Sequence, residues 1–222
     1  MTQAEKYQRC MVMAGGGFRF GIYLGMYAAA CEAGRPPDLL LASCGGAMAA
    51  AIIHSLPDDL QRKAWLTSPQ MYAFCCQLKP SHRSGIVPVF AQALQRKLST
   101  KRAPLIPELF NNYLFEIPLP LPLPPLPTSL PKPSVALICG KLLFSEEEIL
   151  KPRGSRKLFA ETVCCEARAA ALLEAMPSPF IDSRWGEHAL SENLLTKVNM
   201  PLQEAVRISL ADFFYFKCSE HN

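Results

Sequence analysis

Two glycine-rich segments contain residue types that could bind an anion or act as a nucleophile. In the first, Gly15, Gly16 and Gly17 follow one another directly and precede Phe18 and Arg19. Successive glycines leave backbone N–H groups uncovered by side chains, so such a loop can bind a phosphate or an oxyanion. The sequence therefore predicts an anion-binding loop. Arg19 either orients this loop or an anionic head group, or is a solvated charge.

The second segment places a serine, Ser43, between an apolar run and a helix-forming run that starts near Gly45 and Gly46. This is the layout of a nucleophile elbow, a sharp turn that presents a side chain at the carboxyl end of a strand. Leu41 replaces the first glycine of the strict G-x-S-x-G pattern, so a helix-capping serine is the alternative. Cys44 could also be a nucleophile, but we interpret it as an inert thiol that points into the packing.

A dinucleotide-binding turn is a rival interpretation of the glycine-rich loop, from a different functional class. The G-x-G-x-x-G spacing requires a glycine at position 20, where this chain has Phe20. An acidic residue should also end the second strand, whereas Asp38 begins it. Both observations disfavour a nucleotide-binding domain.

Each glycine-rich turn lies between a predicted strand and a predicted helix. Apolar runs at 10–14 and 38–42 predict strands, and the runs at 21–33 and 46–56 predict helices that end near Gly34 and Pro57. This order is typical of the start of a parallel α/β sheet. Later patterns predict helices at 58–66, 87–98, 164–176 and 202–210 and strands at 135–139 and 159–163.

Residues 117–133 form a segment rich in proline and leucine, with eight prolines between positions 118 and 133. Proline excludes a helix or an interior strand here, so we expect an extended crossing segment. A surface connection is favoured over a ligand for a proline-binding module, because no basic residue flanks the segment before Lys132. With 222 residues, the chain is expected to form a single domain, 1–222.

The composition limits the classes of function. A hydrophobic content of 50% with 19% charged residues supports a folded core, and a net charge of +4 is too small to indicate nucleic-acid binding. Nine cysteines without a C-x-x-C pair, and four scattered histidines, predict no metal site. Many free thiols and a polar amino terminus predict a cytoplasmic protein. Basic clusters near positions 79–83, 96–102 and 151–157 are compatible with solvated surface or with peripheral contact with anionic lipid.

The two turns together resemble the patatin-like phospholipase family. Residues 15–19 resemble its glycine-rich oxyanion loop with its basic residue, and residues 42–46 resemble its serine elbow, about two dozen residues later. The resemblance implies a three-layer α/β domain with a mainly parallel central sheet. It also implies hydrolysis of acyl esters of lipids without a metal or organic cofactor, by a Ser–Asp dyad that uses no histidine.

Carried over to this sequence, the resemblance makes Ser43 the nucleophile. The oxyanion loop is then Gly15, Gly16 and Gly17 with Arg19, and the amides of Gly16 and Gly17 stabilise the tetrahedral oxyanion. His54 lies about three turns along the following helix and is expected to point away from the site.

The segment 200–212 resembles the family's late helix, which normally precedes an Asp-Gly turn carrying the catalytic aspartate. No Asp-Gly dipeptide occurs in this chain. The resemblance therefore implies a domain that is incomplete at its carboxyl end, with little or no lipase activity. Asp182 and Asp212 are the remaining candidate carboxylates, although solvated or structural roles are favoured for both. The alternative function is that of a truncated, inactive member that binds lipid or partners.

Overall fold

A computed structural model describes most of the chain. The described residues are 5–80, 87, 90, 91, 94, 113–125, 133–148, 157–174, 176–178, 191–211 and 216–219. Its centre is a five-stranded sheet, built largely from apolar runs bounded by glycine and proline. The strands, in chain order, are β1 (Cys10–Ala14), β2 (Leu39–Ser43), β5 (Ser134–Leu142), β6 (Phe159–Cys165) and β7 (Leu195–Val198). A separate antiparallel pair joins β3 (Lys79–Pro80) to β4 (Phe115–Glu116).

The strand order in the central sheet is β1-β2-β5-β6-β7. Strands β1, β2 and β5 run parallel, β6 is antiparallel to β5, and β7 is parallel to β6. The sheet is therefore mostly parallel, as the sequence predicted. Because parallel strands end at the same edge of a sheet, the carboxyl ends of β1 and β2 lie side by side, with Ala14 paired to Ser43.

Helices cover both faces of this sheet. They are α1 (Gly21–Glu32), α2 (Gly45–Ser55), α3 (Asp59–Leu66), α4 (Pro69–Gln77), α5 (Ala167–Leu173) and α6 (Leu202–Leu210), and a 3₁₀ turn (Gly17–Phe20) leads into α1. Helix α2 is buried on all sides except at His54. A helix that is apolar on every face must be buried in this way, because it has no polar face to present to water.

Alternate strand residues enter two different cores. Met13, Leu40 and Leu137 lie in the core that contains α2, whereas Ala136 and Val163 pack with α5 on the opposite face. This period of two is that of a β-sheet covered on both sides. The chain is therefore a three-layer α/β fold.

The agreement between predicted and observed elements is close in the first 66 residues. Strand β1 has the predicted bounds, and the other elements differ from theirs by one residue at one or both ends. Helix α6 also has its predicted bounds. In the predicted helix at 87–98, residues 87, 90, 91 and 94 are helical and the others lie outside the described residues.

Two predictions are wrong, and four strands or α-helices were not predicted. The helix expected at 164–176 begins only at Ala167, because Cys164 and Cys165 continue β6 and pair with β5. Helix α4 is capped by Ser68, whose side chain accepts a hydrogen bond from the Met71 N–H. This helix was not predicted, and neither were the strands β3, β4 and β7. The proline-rich segment is not a simple surface connection, because residues 121–124 are buried. The indole Nε1 of Trp65 donates a hydrogen bond to the Pro122 carbonyl at 2.9 Å, which holds the segment against α3.

Candidate active site

The two glycine-rich turns meet at the carboxyl ends of β1 and β2. The Gly15 N–H donates to the Ser43 carbonyl at 3.1 Å, and the Gly46 N–H donates to the Gly15 carbonyl at 2.9 Å. Ser43 therefore ends β2 beside the glycine loop, where the sequence placed it. The first turn of α2 and the loop are joined directly by backbone hydrogen bonds.

The glycine loop has a backbone that other residues rarely adopt. Gly15, Gly16 and Gly17 have φ values of 64°, 95° and 52°, all in the left-handed region that favours glycine. Glycine is also needed at position 45, where an added Cβ would lie 2.3 Å from the Gly17 carbonyl oxygen. Both requirements follow from the same feature, the close approach of the loop to the start of α2.

Two of the three N–H groups of this loop are available as hydrogen-bond donors, because the Gly15 N–H already donates to Ser43. Within the described part of the chain, neither the Gly16 nor the Gly17 N–H makes a hydrogen bond. A Cβ added at Gly17 would meet no atom within 4 Å, so this residue borders open space. Unpaired N–H groups beside open space can stabilise a developing oxyanion.

The other two predicted site residues differ in surroundings. The Arg19 side chain is exposed and, among the residues that the structure describes, forms no ion pair. Its backbone N–H donates to the Gly16 carbonyl at 2.9 Å and so closes the loop. The Ser43 hydroxyl is half-buried and accepts a hydrogen bond from the Gly15 N–H at 3.3 Å.

The strained residue of the strand-to-helix corner is Cys44, the residue that follows Ser43. Cys44 has φ 50° and ψ −123°, while Ser43 is a regular strand residue. A non-glycine residue in such a conformation persists only where its surroundings enforce it, and such residues concentrate at functional sites. The corner therefore holds two nucleophilic side chains, the hydroxyl of the last strand residue and the thiol of the strained residue.

Ser209, a residue that the sequence analysis did not single out, holds this corner from the late helix α6. Its Oγ accepts a hydrogen bond from the Cys44 N–H at 3.1 Å and donates one to the Ile138 carbonyl at 2.8 Å. Ser209 is buried, so both bonds are shielded from water. Its role could not be predicted, because Cys44 and Ser209 are 165 residues apart in sequence.

The deeper neighbourhood of this corner contains two cysteines. The Sγ atoms of Cys139 and Cys164 lie 3.9 Å apart between β5 and β6. Hydrogen bonding to Cys164 and burial hold the pKa of the Cys139 thiol above its ordinary value. Cys139 is therefore neutral at physiological pH and acts as part of the core. None of the nine cysteines, all of which lie in the described part of the chain, forms a disulfide.

A small apolar cavity of about 40 Å³ opens at the corner. Its walls include Gly17, Phe20, Cys44, Met48, Phe74 and Leu210. A larger cavity, of about 300 Å³, lies between α4 and the proline-rich segment, with Trp65, Phe74, Gln77, Leu121 and Leu123 in its walls. Phe74 contributes to the walls of both cavities.

The remaining candidates lie elsewhere. His54 is in the last turn of α2, and its Nδ1 lies 2.9 Å from the Pro133 carbonyl oxygen. Asp182 and Asp212 lie outside the described residues. Among the residues that the structure does describe, no group of three or more His, Cys, Asp or Glu side chains could hold a metal ion.

The family is established by comparison with known protein families. A family model described as patatin-like phospholipase matches residues 11–222. The match covers nearly the whole chain, which therefore belongs to the patatin-like phospholipase family. Membership implies a lipid acyl hydrolase activity and a lipid substrate. The chain matches no curated protein and no solved structure. In the described ranges, no helix has both the length and the apolar character needed to span a bilayer.

Proposed function

We propose that the chain hydrolyses lipid acyl esters at the corner between β2 and α2, opposite the glycine loop. The observation that carries this proposal is the meeting of the two turns, joined by the bond between Gly46 and Gly15. It places candidate nucleophiles beside unpaired backbone donors. Ser43 is the nucleophile that the sequence resemblance implies, and this assignment stays a prediction.

The oxyanion of the tetrahedral intermediate would be stabilised by the N–H groups of Gly16 and Gly17. These donors are fixed before the reaction, so they need no reorganisation as charge develops. The macrodipole at the start of α2 adds positive potential at the same place. The chemistry requires a nucleophile, these donors and water, together with a base for the hydroxyl proton if the nucleophile is serine; a metal or organic cofactor is not part of the proposal.

The acyl chain would enter the apolar cavities. The smaller cavity lies at the corner itself and accommodates only the first carbons of a chain. The larger cavity shares the Phe74 wall and is also bordered by Leu121 and Leu123, and in this proposal the Phe74 ring lies between the two cavities. A longer chain would therefore have to displace the Phe74 ring to reach it. Burial of each methylene contributes about 0.8 kcal/mol, which favours apolar acyl groups over polar ones.

Contact with a membrane would use the outer face of α1 and the turn before it. Phe18, Ile22 and Met26 are spaced four residues apart and are 59%, 62% and 52% exposed. Residues at this spacing share one face of a helix, so they form an apolar stripe that starts next to the glycine loop. A peripheral contact of this kind would bring lipid to the site.

The cytoplasmic location expected from the sequence stays a prediction, as does the absence of nucleic-acid binding.

The proposal is tested with the purified 222-residue chain and a panel of esters. We expect release of fatty acid from phospholipid vesicles and hydrolysis of p-nitrophenyl esters, with a preference for apolar acyl groups. Binding to vesicles without release of fatty acid would contradict hydrolysis and support the inactive lipid-binding alternative. A vesicle-binding comparison with Ile22→Glu tests the stripe on α1 separately, and unchanged binding would contradict it.

A further inference from the structure

We infer that the nucleophile at this corner is the thiol of Cys44 rather than the hydroxyl of Ser43. The inference rests on the proposed function and deepens it, because it assigns a different reacting atom and a thioester intermediate. Three observations support it independently: the backbone conformation at the corner, the pattern of small residues around it, and the cavity that opens there.

The backbone conformation assigns the elbow to Cys44. A nucleophile elbow is a sharp, strained turn in which the nucleophile occupies the strained position between strand and helix. Cys44 occupies that position, with φ 50° and ψ −123°, directly before the first residue of α2. Ser43 is instead the last ladder residue of β2, paired with Ala14.

The flanking residues also fit Cys44 better. With Cys44 at the centre, the positions two before and two after it are Ala42 and Gly46, both small. An added Cβ at Gly46 would lie 2.0 Å from the Met13 carbonyl oxygen, so only glycine fits there. With Ser43 at the centre, the position two before it is the large residue Leu41. Small residues are required around the nucleophile because the backbone is crowded at the sharp turn.

The small apolar cavity at the corner could hold the acyl group of a substrate, and it borders Cys44. Cys44 and Gly17 both contribute to the walls of this cavity, whereas Ser43 is not among the described residues that line it. The Ser43 hydroxyl is engaged at the strand ends by the Gly15 N–H, at 3.3 Å. An acyl group in the cavity would therefore have its carbonyl carbon next to the Cys44 thiol and its carbonyl oxygen near the loop amides.

The reaction has two balanced steps. The Cys44 sulfur forms a bond to the acyl carbon, the ester C–O bond breaks, and the thiol proton leaves with the alcohol product. Water then attacks the thioester, and the products are a carboxylic acid and the regenerated thiol. Among the nucleophilic side chains, cysteine depends least on a neighbouring base, which suits a corner where a thiol replaces the usual serine.

The test maps the acyl group on the enzyme. The full chain is mixed with p-nitrophenyl butyrate and quenched in acid, and the modified peptide is identified by mass spectrometry. Turnover is measured in parallel for Cys44→Gly, Cys44→Ala and Ser43→Ala. Glycine accepts a positive φ without strain, so Cys44→Gly removes the thiol with the least disturbance of the fold. Thermal unfolding of each variant checks that the fold is retained.

We expect butyryl on Cys44, and at least a 10²-fold loss of turnover in both Cys44 variants. In Ser43→Ala we expect a smaller loss, because only a contact with the loop is removed. Cys10→Ala is the matched control, since Cys10 is an exposed thiol at the opposite end of β1 and its loss should leave turnover unchanged.

Two results would overturn the inference in distinguishable ways. Butyryl on Ser43, or turnover that survives in folded Cys44→Gly and is lost in Ser43→Ala, would restore serine as the nucleophile and leave the proposed function standing. Absence of both turnover and acylation would contradict the proposed function itself, and the assignment of Cys44 would fall with it.

Discussion

The amide nitrogen of Gly46 lies 2.9 Å from the carbonyl oxygen of Gly15. This bond connects the second residue of α2 to the first glycine of the loop, and it joins two turns that lie about two dozen residues apart in sequence. Such an approach is possible only without a side chain at position 46, where a Cβ would overlap the Met13 carbonyl group. The site therefore depends on glycine for packing as well as for conformation.

The first prediction concerns the stability that depends on this close packing. Gly46→Ala should lower the free energy of unfolding by about 3 kcal/mol or more, because the new methyl group overlaps backbone atoms that cannot rotate away. Gly25→Ala is the control, since Gly25 is an exposed residue of α1 with open space around its Cβ. There alanine should stabilise by about 0.5–1 kcal/mol. Urea denaturation measures both, and equal stabilities for the two variants would contradict the packing described here.

These positions illustrate what the sequence could predict. The elements β1, α1, β2 and α2 follow from apolar runs that end at glycine or proline, so local chemistry specifies them. The sequence assigns the elbow to Ser43 because a glycine lies two residues after it, and that assignment stays a prediction; the structure shows that the residue with positive φ is Cys44. Which of them has a positive φ depends on contacts with the loop and with Ser209, which are remote in sequence.

The second prediction compares two glycines with similar backbones. Gly17 and Gly34 have φ values of 52° and 68°, and a Cβ on either would meet no atom within 4 Å. Alanine should therefore cost about 1–2 kcal/mol of stability at both positions. Only Gly17→Ala should also reduce ester turnover, by about tenfold to 10³-fold, since it displaces an oxyanion donor. Steady-state kinetics of both variants, measured under conditions in which equal fractions are folded, test this prediction. Equal turnover in the two variants would contradict the role of the loop.

The third prediction concerns acyl-chain length. Phe74 lines both the small cavity at Cys44 and the larger one beside the proline-rich segment, and we expect its ring to limit passage between them. Phe74→Leu should open the passage and raise the turnover of long-chain relative to short-chain esters by about tenfold. Tyr72→Leu on the same helix is the control, because Tyr72 is 73% exposed and borders neither cavity in the described lining. An unchanged chain-length profile in Phe74→Leu would show that the larger cavity is not used.

The burial of the proline-rich segment could not be predicted from the sequence, for a physical reason. Alternating proline and leucine specify an extended backbone but not the surface on which it lies. That surface is formed by α3 and α4, through contacts such as the bond from Trp65 to Pro122. The sequence therefore indicated the conformation of the segment and missed its role as a cavity wall.

The fourth prediction concerns pH and lies at the opposite end of the sheet. Burial raises the pKa of Glu166, but hydrogen bonds from Ser134 and Tyr7, with the charge of Arg168, outweigh it and hold the pKa below the ordinary 4.5. A lowered pKa stabilises the fold above the unfolded-state value, and this stabilisation is lost as pH falls through the folded-state value. The difference in melting temperature between the wild type and Glu166→Gln should therefore be largest above pH 4.5 and shrink below it.

The control for this pH dependence is Glu174→Gln, at an exposed position just after α5. Its difference from the wild type should stay small across the same range. A Glu166→Gln difference that does not change with pH would show that the carboxylate is not held in its charged form by these partners.

The most direct test of the central claim, that ester hydrolysis occurs at this corner, uses the double variant Ser43→Ala/Cys44→Ala. It removes both candidate nucleophiles and is independent of which one reacts. Release of fatty acid from phospholipid vesicles is measured for the wild type and the double variant, after circular dichroism has shown that both are folded. We predict hydrolysis by the wild type and none above background by the double variant. Equal rates for the two proteins would contradict the assignment of the site.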